Sequence, residues 1–283
     1  MSRTGRLPQS IALALGCITL LAGCRTAPTL APDAPEALPT YESLAAAHNA
    51  NVNRFDTLWA RVIGTVSYIN DKGDRVTEQG EGNLQLVKPS RIALSIGKLG
   101  EVIAWIGADE AAYWFLEPSA EPRRGVTGSH ERFSADTRER LGLPVSPLAV
   151  IEALGVTPLP AEAESTATWD ATRNAVIHEL PAERRRYAFD LERKSLIGID
   201  FLGEGDEPLA TVELRDEVVV TLPDEGGYFP RIAKRVEITD PSSGASFRIT
   251  LSDCAEKPIK PRVFDLAQLV DAFLIEHLTD LDR

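Results

Sequence analysis

Apolar and polar residues alternate along short segments in the first half of the chain, which is the pattern of β-strands with one face turned to a core. In residues 91–97, the two isoleucines and Leu94 fall on one face, whereas Arg91, Ala93 and Ser95 fall on the other. The turns between segments are short, and turns of this length join only antiparallel neighbours. The pattern therefore predicts an antiparallel meander of five strands, over residues 61–69, 82–87, 91–97, 101–107 and 111–117.

Strand-length segments resume in the second half of the chain. The last two are joined by the sequence DPSSG, a proline- and glycine-containing loop typical of a hairpin. About six strands are predicted here, over residues 175–181, 185–193, 195–203, 209–223, 231–240 and 245–253.

Three helices are predicted around these strands from apolar residues at helical spacing. In the middle one, Ser146 is placed as the N-cap, Pro147 takes the first helical position, and Gly155 ends the helix. The apolar face of this middle helix is Leu148, Ile151 and Leu154. The first helix begins near Tyr41, with the stripe Leu44, Ala47, Asn51, Phe55, Leu58 and Val62. The last begins at Asp265 and is amphipathic, with Leu266, Leu269, Val270, Phe273, Leu274 and Leu278 on one side.

This order of elements defines a fold class. It runs helix, five strands, one or two short helices, about six strands, helix, and it lacks the strand–helix alternation of Rossmann and TIM-barrel proteins. We predict a mainly β (α+β) fold: a single, highly curved antiparallel sheet that forms an incomplete barrel over a helical lid. Two separate β domains are the alternative, because the helical insert lies near the middle of the chain.

The first 40 residues have a different character. Arg3 and Arg6 precede an apolar run over residues 11–23, which is too short for a permanent transmembrane helix and typical of an export signal. The run ends in Leu-Ala-Gly before Cys24. This pattern resembles the signal of bacterial lipoproteins, which implies that residues 1–23 are removed and that Cys24 is acylated. An ordinary signal peptide containing a cysteine is the alternative.

Residues 24–40 are rich in proline and alanine and predict an extended tether, so the folded domain spans residues 41–283. The partner of the tether is a membrane, reached through the lipid on Cys24. Arg25 follows the cysteine where inner-membrane lipoproteins carry aspartate, so the resemblance implies the periplasmic face of the outer membrane over the inner membrane.

Charge and cysteine content exclude some functions. The full chain has 30 basic and 42 acidic residues. Removing Arg3 and Arg6 with the signal gives 28 against 42, a net charge of −14, which opposes a nucleic acid partner. Cys17 leaves with the signal and Cys24 carries lipid, so Cys254 is left without a disulfide partner.

Enzymatic chemistry is not indicated. The histidines His48, His130, His178 and His277 fall on four different elements. The sequence HELPA at residues 178–182 lacks the second histidine of a zinc-protease helix and contains a helix-breaking proline. We expect no metal site, no cofactor and no catalytic residues; a hydrolase is the disfavoured alternative.

Three passages resemble the lipoprotein-sorting proteins LolA and LolB, and LolB in particular because it is also lipid-anchored. They are KPSRIALSIGKLGEVIAWIGADEAAYWFLEP, then RFSADTRERLGLPVSPLAVIEALGVTPLP, and FPRIAKRVEITDPSSGASFRITLSD. The similarity extends from about Trp59 to Asp253. It implies an unclosed barrel wrapped over helices, with an apolar cavity that binds the acyl chains of lipoproteins or other lipids.

The resemblance also implies candidate site residues. Leu99, in the sequence GKLGE, matches a leucine on a protruding loop that helps insert lipoproteins into the membrane; a leucine folded back as a plug is the alternative. A LolA-like periplasmic carrier is the implied protein partner. A cavity for acyl chains needs apolar walls, and the candidates are Ile92, Leu94, Ile96, Val102, Trp105, Tyr113, Phe115, Leu148, Ile151 and Leu154.

Two functional hypotheses follow, and they differ in the role of the apolar candidate residues. The first is a lipoprotein that binds acyl chains and acts in lipoprotein sorting or insertion at the outer membrane. The second is a non-catalytic envelope lipoprotein that serves as a protein-binding or structural platform. Under the second hypothesis the apolar residues simply fill a core.

Overall fold

The structure is a computed structural model that describes residues 34–69, 72–134, 137, 145–223 and 229–283. The predicted signal, Cys24 and the tether up to residue 33 lie outside the described residues. The two predicted features at residues 1–23 and at Cys24 therefore stay predictions.

A single sheet of fourteen strands forms the domain, in the order β14-β6-β5-β4-β3-β2-β1-β13-β12-β11-β10-β9-β8-β7. Strand β1 lies between β2 and β13, so it joins the first half of the chain to the second. The strands are β1 (Thr57–Ile69), β2 (Arg75–Val87), β3 (Arg91–Lys98), β4 (Glu101–Ala108), β5 (Ala112–Glu117), β6 (Arg124–Ser129), β7 (Thr166–Asp170), β8 (Ala175–Leu180), β9 (Arg185–Asp190), β10 (Ser195–Leu202), β11 (Pro208–Val219), β12 (Arg231–Thr239), β13 (Ser246–Ala255) and β14 (His277–Asp280).

The sheet is open, because β14 and β7 are its two edges and do not pair with each other. Neighbouring strands are antiparallel except for β14, which runs parallel to β6. The predicted class, one curved sheet in an incomplete barrel, is confirmed, and the alternative of two separate sheets is not what the chain forms.

In the described parts of the chain, the helices with defined bounds are α1 (Tyr41–Val52), α2 (Ala149–Ala153) and α3 (Leu266–Phe273). Two 3-10 turns, His130–Arg132 and Pro261–Phe264, also lie within these parts. Helices α1 and α2 contribute to one large apolar core with the inner face of the sheet, through Tyr41, Leu44, Ala45, Val150 and Ile151. These two helices therefore fill the concavity of the sheet, as a helical lid requires.

The first helix is shorter than its apolar stripe predicts. It begins after Thr40, whose hydroxyl accepts a bond from the Ser43 amide, and it ends at Val52. Leu58 and Val62 belong instead to β1, where they alternate with exposed or half-buried neighbours. A spacing of four residues fits both a helix turn and two strand repeats, so the stripe alone did not locate the boundary.

The C-terminal amphipathic helix is present, but it is also shorter than predicted. Asp265 caps it by accepting a bond from the Gln268 amide, and it ends where Leu274 adopts a left-handed conformation with φ 54°. The chain then forms β14, so Leu278 lies in a strand rather than on the helix. A left-handed residue stops a helix because it redirects the backbone.

Helix α3 packs against the outer face of the sheet. Its Leu269 joins Trp114 and Leu116 in a second apolar cluster, and Phe273 packs against Trp105 with ring centroids 5.4 Å apart. The sequence predicted one inward face on β3, yet Ala93 and Ser95 on its other face are also buried. Ile92 and Leu94 face the core as predicted, and the opposite face of β3 is buried as well because residues far along the chain cover it.

Candidate functional site

An apolar cavity of about 720 Å³ lies on the inner face of the sheet. Strands β1, β3 and β12 run in the same direction, so the turns that follow them lie at one end of the sheet, and the cavity opens there. Its volume is in the range of about 300–1,000 Å³ typical of small-molecule sites. The apolar lining residues are Val66, Ile96, Ile103, Ala104, Ile106, Phe115, Ile238, Ala245 and Phe247.

A second, small apolar pocket of about 30 Å³ lies beside this cavity, between sheet and lid. The two spaces share Ile106, Ile238 and Phe247 in their walls. The inner pocket adds Ile92 and Leu94 from β3, and Val145, Pro147 and Val150 from the lid segment. The structure thus places four of the predicted wall residues at two adjoining apolar pockets: Ile96 and Phe115 at the larger, and Ile92 and Leu94 at the smaller.

Two glycines leave space for the side chain of Ile96 in the cavity wall. Gly64 of β1 lies opposite Gly80 of β2, and Ile96 from β3 extends over this bare patch of backbone. A Cβ atom at Gly80 would be 2.5 Å from the Ile96 Cγ2 atom, and one at Gly64 would be 2.8 Å from its Cδ1 atom. Side chains at these positions would displace Ile96 into the cavity, so the glycines help to set its depth.

Charged side chains are found at the rim. Glu78 accepts a bond of 3.2 Å from the Tyr68 hydroxyl, and Glu117 pairs with Arg124. Lys98 also lines the opening. The interior is apolar, so a ligand that fits it must be largely hydrocarbon, with any polar group at the opening.

Other predicted wall residues lie elsewhere. Trp105 pairs with Ser95 and Leu116, which places it on the outer face of the sheet under α3. Val102 lies opposite Gly97, beyond a register shift after Ile96, and does not line the cavity. Such a shift moves following side chains to the opposite face. Tyr113 is fully buried in the core, edge-on to Phe133 with ring centroids 5.5 Å apart.

The helix α2 presents a different face to the cavity from the predicted one. The helix begins at Ala149 with Leu148 as its N-cap, two residues later than predicted; the Ser146 hydroxyl accepts a bond of 3.1 Å from the Ala149 amide, and Gly155 follows the helix with φ 66°. However, Val150 faces the cavity, whereas Leu148 and Ile151 line a separate surface pocket and Leu154 lines another.

An ion pair sets the rotation of α2. The Arg185 guanidinium on β9 donates two bonds to the Glu152 carboxylate on α2, of 2.7 and 3.0 Å, and the Tyr187 hydroxyl donates a third of 3.0 Å. Burial and the Glu152 carboxylate raise the pKa of Tyr187. These contacts come from residues remote in sequence, so the spacing of leucines within α2 gave no signal for them. The prediction also missed Phe247 as a wall residue, although the alternation along residues 245–253 could have identified it.

Leu99 is the most exposed large apolar residue among those described, with 99% of its surface accessible. It occupies the β3–β4 turn with φ 54°, a left-handed conformation that costs a non-glycine residue roughly 1 kcal/mol or more. Strand β4 pairs with β5 only from Trp105 onward, so the turn projects about four residues, or roughly 13 Å, beyond the paired part of β5. The structure places this leucine in solvent rather than folded back as a plug.

The histidines have structural partners. The His48 Nε2 lies 2.9 Å from the Thr157 carbonyl, and the His178 Nε2 lies 3.1 Å from the Pro39 carbonyl. A carbonyl only accepts, so Nε2 donates in both, and the Nδ1 of His178 accepts from the Ser165 hydroxyl at 3.2 Å. Burial lowers the pKa of both histidines. Among the described residues, no group of three His, Cys, Asp or Glu side chains is arranged to hold a metal ion.

Cys254 is a buried thiol near the end of β13. Burial, reinforced by the neighbouring Asp253 carboxylate, raises its pKa to about 11. A thiol with so high a pKa is a poor nucleophile at neutral pH. In the part of the chain with described structure, no helix is both long enough and apolar enough to cross a bilayer.

This chain is similar to known proteins in structure but not in sequence. No protein-family model and no curated protein sequence matches the chain. A DUF1329 family protein from Desulfovibrio piger matches in structure with a TM-score of 0.52 and 10% identity, over 81% of this chain and 97% of its own. A candidate outer membrane lipoprotein-sorting protein domain from Vibrio parahaemolyticus matches with a TM-score of 0.52 and 9% identity, over the same shares of 81% and 97%. A LolA superfamily protein from Nitrosomonas europaea matches with a TM-score of 0.49 and 10% identity, over 81% of this chain and 99% of its own.

The class defined by fold and site is an open, curved antiparallel sheet with an apolar cavity between sheet and helices. Two of the matches extend over nearly the whole of the other protein at a TM-score above one half, and one of them is a lipoprotein-sorting domain. The fold implied by the resemblance to lipoprotein-sorting proteins is therefore confirmed. At 9% and 10% identity, these matches show a shared fold and do not show a shared function.

Proposed function

We propose that this protein is an envelope lipoprotein that binds acyl chains in its apolar cavity and takes part in lipoprotein sorting or insertion at the outer membrane. The observation that carries the proposal is the 720 Å³ cavity, apolar inside and charged at the rim, which opens at the same end of the sheet as the fully exposed Leu99. No step of this function requires bond chemistry, so the protein acts as a carrier rather than an enzyme.

Acyl chains suit the cavity for a physical reason. Removing a methylene from water contributes about 0.8 kcal/mol, so ten buried methylenes contribute roughly 8 kcal/mol before the costs of association. The walls that supply this burial come from β3, β4, β5, β12 and β13 together with the lid. The ligand class is thus the acyl chains of lipoproteins or of other lipids, and a LolA-like periplasmic carrier is the partner that would deliver them.

The membrane is reached in two ways in this proposal. The lipid on Cys24 anchors the protein, and Arg25 favours the periplasmic face of the outer membrane. Leu99 then touches the bilayer beside the cavity opening and promotes release of the acyl chain. Cys24→Ser is expected to abolish fractionation with membranes after a high-salt wash; retention of that variant on membranes would contradict the anchor.

A charge placed in the cavity tests acyl binding. Ile106 lines both the cavity and the small pocket beside it, so Ile106→Glu puts a carboxylate against the hydrocarbon, and the affinity for a fluorescent fatty acyl probe should fall a hundredfold or more. Val219→Glu is the matched control, because Val219 is an exposed apolar residue at the end of β11, away from the cavity. Its affinity should be unchanged.

Folding must be monitored in the same experiment. Circular dichroism checks each variant, and Ala104→Trp gives a second test that narrows the cavity without adding charge. If the wild-type protein binds no acyl probe, the carrier proposal fails and the protein-binding platform takes its place. If Leu99→Glu retains full transfer of acyl probe to liposomes, the proposed role of the turn is wrong while the cavity stands.

A further inference from the structure

Two leucines share an unusual backbone conformation. Eight described non-glycine residues have positive φ, and six of them are polar or charged: Asn174, Arg184, Lys194, Asp206, Asp216 and Asp253. The other two are Leu99 and Leu274, both with φ 54°. A leucine at such a position bears a steric cost without the local hydrogen bonds through which asparagine or aspartate offset it.

The same two leucines are the most exposed large apolar residues in the described chain, at 99% for Leu99 and 65% for Leu274. An exposed leucine forgoes the stabilisation that burial would give it. Each of these positions therefore carries two costs, one steric and one from solvent exposure. Contact with an apolar surface outside the folded chain would offset the cost of exposure at both positions.

Topology brings these leucines to one end of the sheet. Strands β3 and β5 run in the same direction, so the β3–β4 turn with Leu99 and the loop 118–123 after β5 lie at the same end. Leu274 lines a surface pocket with residues 120–123 of that loop. Arg123 holds the segment there: its guanidinium donates to the Phe273 carbonyl at 3.2 Å, and its own carbonyl accepts from the Glu276 amide at 2.9 Å.

We propose that Leu274 is a second membrane-contact residue, which inserts into the surface of the bilayer beside Leu99. This inference rests on the membrane contact in the proposed function and extends it to the C-terminal segment. Because Phe273 packs on Trp105, some four residues below the tip of the β3–β4 turn, Leu274 is set back from Leu99 and inserts less deeply.

The partner is a neutral lipid surface rather than an acidic one. Charges of both signs surround the two leucines, namely Lys98 and Arg123 against Glu101, Glu121 and Glu276, and the whole chain has a net charge of −12. Anionic lipids therefore gain no general attraction, and binding should be insensitive to salt.

The tether is long enough for this orientation. Residues 24–37 can span up to about 50 Å when extended, which exceeds the roughly 43 Å length of the 13-residue strand β1. A domain held through Cys24 can thus turn the end with both leucines to the membrane, wherever on the domain the tether begins.

Site-specific labels test the contact directly. Leu274→Cys, Leu99→Cys and Val219→Cys are each labelled with an environment-sensitive fluorophore on the mature lipidated protein in phosphatidylcholine vesicles. Cys254 is 3% exposed and should not react with the fluorophore. Wild-type protein treated with the same fluorophore is the control for labelling at Cys254. Val219 lies at the opposite end of the sheet, since β11 runs against β12.

Quenching by nitroxide groups carried on the lipids gives the answer. Labels at positions 99 and 274 should both be quenched, with 274 weaker, and the label at 219 should not. Quenching at 99 but not at 274 overturns this inference and leaves the proposed function standing. Quenching at neither position overturns this inference and the proposed membrane contact of Leu99, while acyl binding in the cavity stands. Equal quenching at all three positions shows no preferred end and overturns the inference.

Leu274→Asn separates a membrane role from a structural one. Asparagine tolerates the left-handed conformation, so the variant should be as stable as the wild type or slightly more stable. Acyl transfer to neutral liposomes should nevertheless fall about tenfold, the value for losing part of a leucine's burial in lipid. Unchanged transfer with unchanged stability would show that Leu274 only ends a helix.

Discussion

The two arms of the sheet use the same local geometry for different purposes. In the second arm, strands β7–β11, left-handed turn positions carry polar residues such as Asn174, Lys194 and Asp206. In the first arm, strands β1–β6, the corresponding positions are Leu99 in a turn and Leu274 beside the β5–β6 loop. The second arm is thus built for stability, whereas the first retains an open cavity and exposed apolar residues at some cost in stability.

Aromatic side chains show the same contrast. Phe189 on β9 is fully buried, whereas Phe115 on β5 lines the cavity and is half-buried. Phe189→Ala should lower the free energy of unfolding by about 3–5 kcal/mol, because it leaves a closed void. Phe115→Ala should lower it by only about 1–2 kcal/mol, since that side chain already faces open space. Urea denaturation of both variants measures the difference, and equal losses would erase the distinction between the arms.

Breaking the contact between helix α2 and strand β9 should have the next largest effect on stability. Removing the carboxylate in Glu152→Ala leaves the Arg185 guanidinium and the Tyr187 hydroxyl without their partner, which should cost about 2–3 kcal/mol of unfolding free energy. Glu213→Ala is the control: its pair with Arg215 is exposed and should be worth less than about 0.5 kcal/mol. A loss of similar size in both variants would show that the lid has no special attachment to β9.

A side chain added to the cavity floor should lower both the stability of the fold and the affinity for acyl chains. A side chain at Gly80 meets Ile96 and the Gly97 carbonyl oxygen, the latter at 2.8 Å from the new Cβ atom. Gly80→Val should therefore lower the unfolding free energy by about 2 kcal/mol through overpacking and weaken acyl-probe binding about tenfold or more. Isothermal titration with a fatty acid measures the second effect. Full affinity in a folded Gly80→Val variant would remove this part of the cavity from the ligand's path.

Acid should destabilise the fold through two buried histidines, His48 on α1 and His178 on β8. Burial lowers the pKa of His48 and His178 in the folded protein, so below the ordinary value of about 6.5 the unfolded chain binds more protons. Stability is then constant above about pH 7 and falls as the pH decreases through 6, by about 1.4 kcal/mol for each unit of depressed pKa. The unfolding free energy at pH 7.5 and 5.5 tests this. His178→Gln should flatten the slope.

The smallest expected effect has the opposite sign. Leu99→Asn relieves the strain of the left-handed turn and should raise the unfolding free energy by about 0.5–1 kcal/mol. The same variant should lose acyl transfer to liposomes if Leu99 acts at the membrane. Thermal denaturation combined with the transfer assay measures both quantities. A destabilised variant would mean that Leu99 makes a contact within the fold, and the contrast between the arms would lose its main example.

The sequence alone determined the antiparallel meander, the start of the last helix near Asp265, the turns at Leu99 and residues 240–244, and hence the open-barrel class. These features depend on local alternation, capping chemistry and turn length, all of which are encoded within a few residues. Four of the predicted wall residues, Ile92, Leu94, Ile96 and Phe115, reached the two adjoining pockets because alternation correctly gave their face of the strand.

Only the tertiary structure decided which apolar face was the inner one and which was covered from outside. Trp105 alternates as well as Ile106 does, but α3, more than 150 residues later in the chain, buries it on the outer face. The rotation of α2 likewise depends on Arg185 and Tyr187 from β9, so Val150 rather than Ile151 faces the cavity. Strand pairing and ion pairs of this kind join residues distant in sequence, and their free energy is not written in any local pattern.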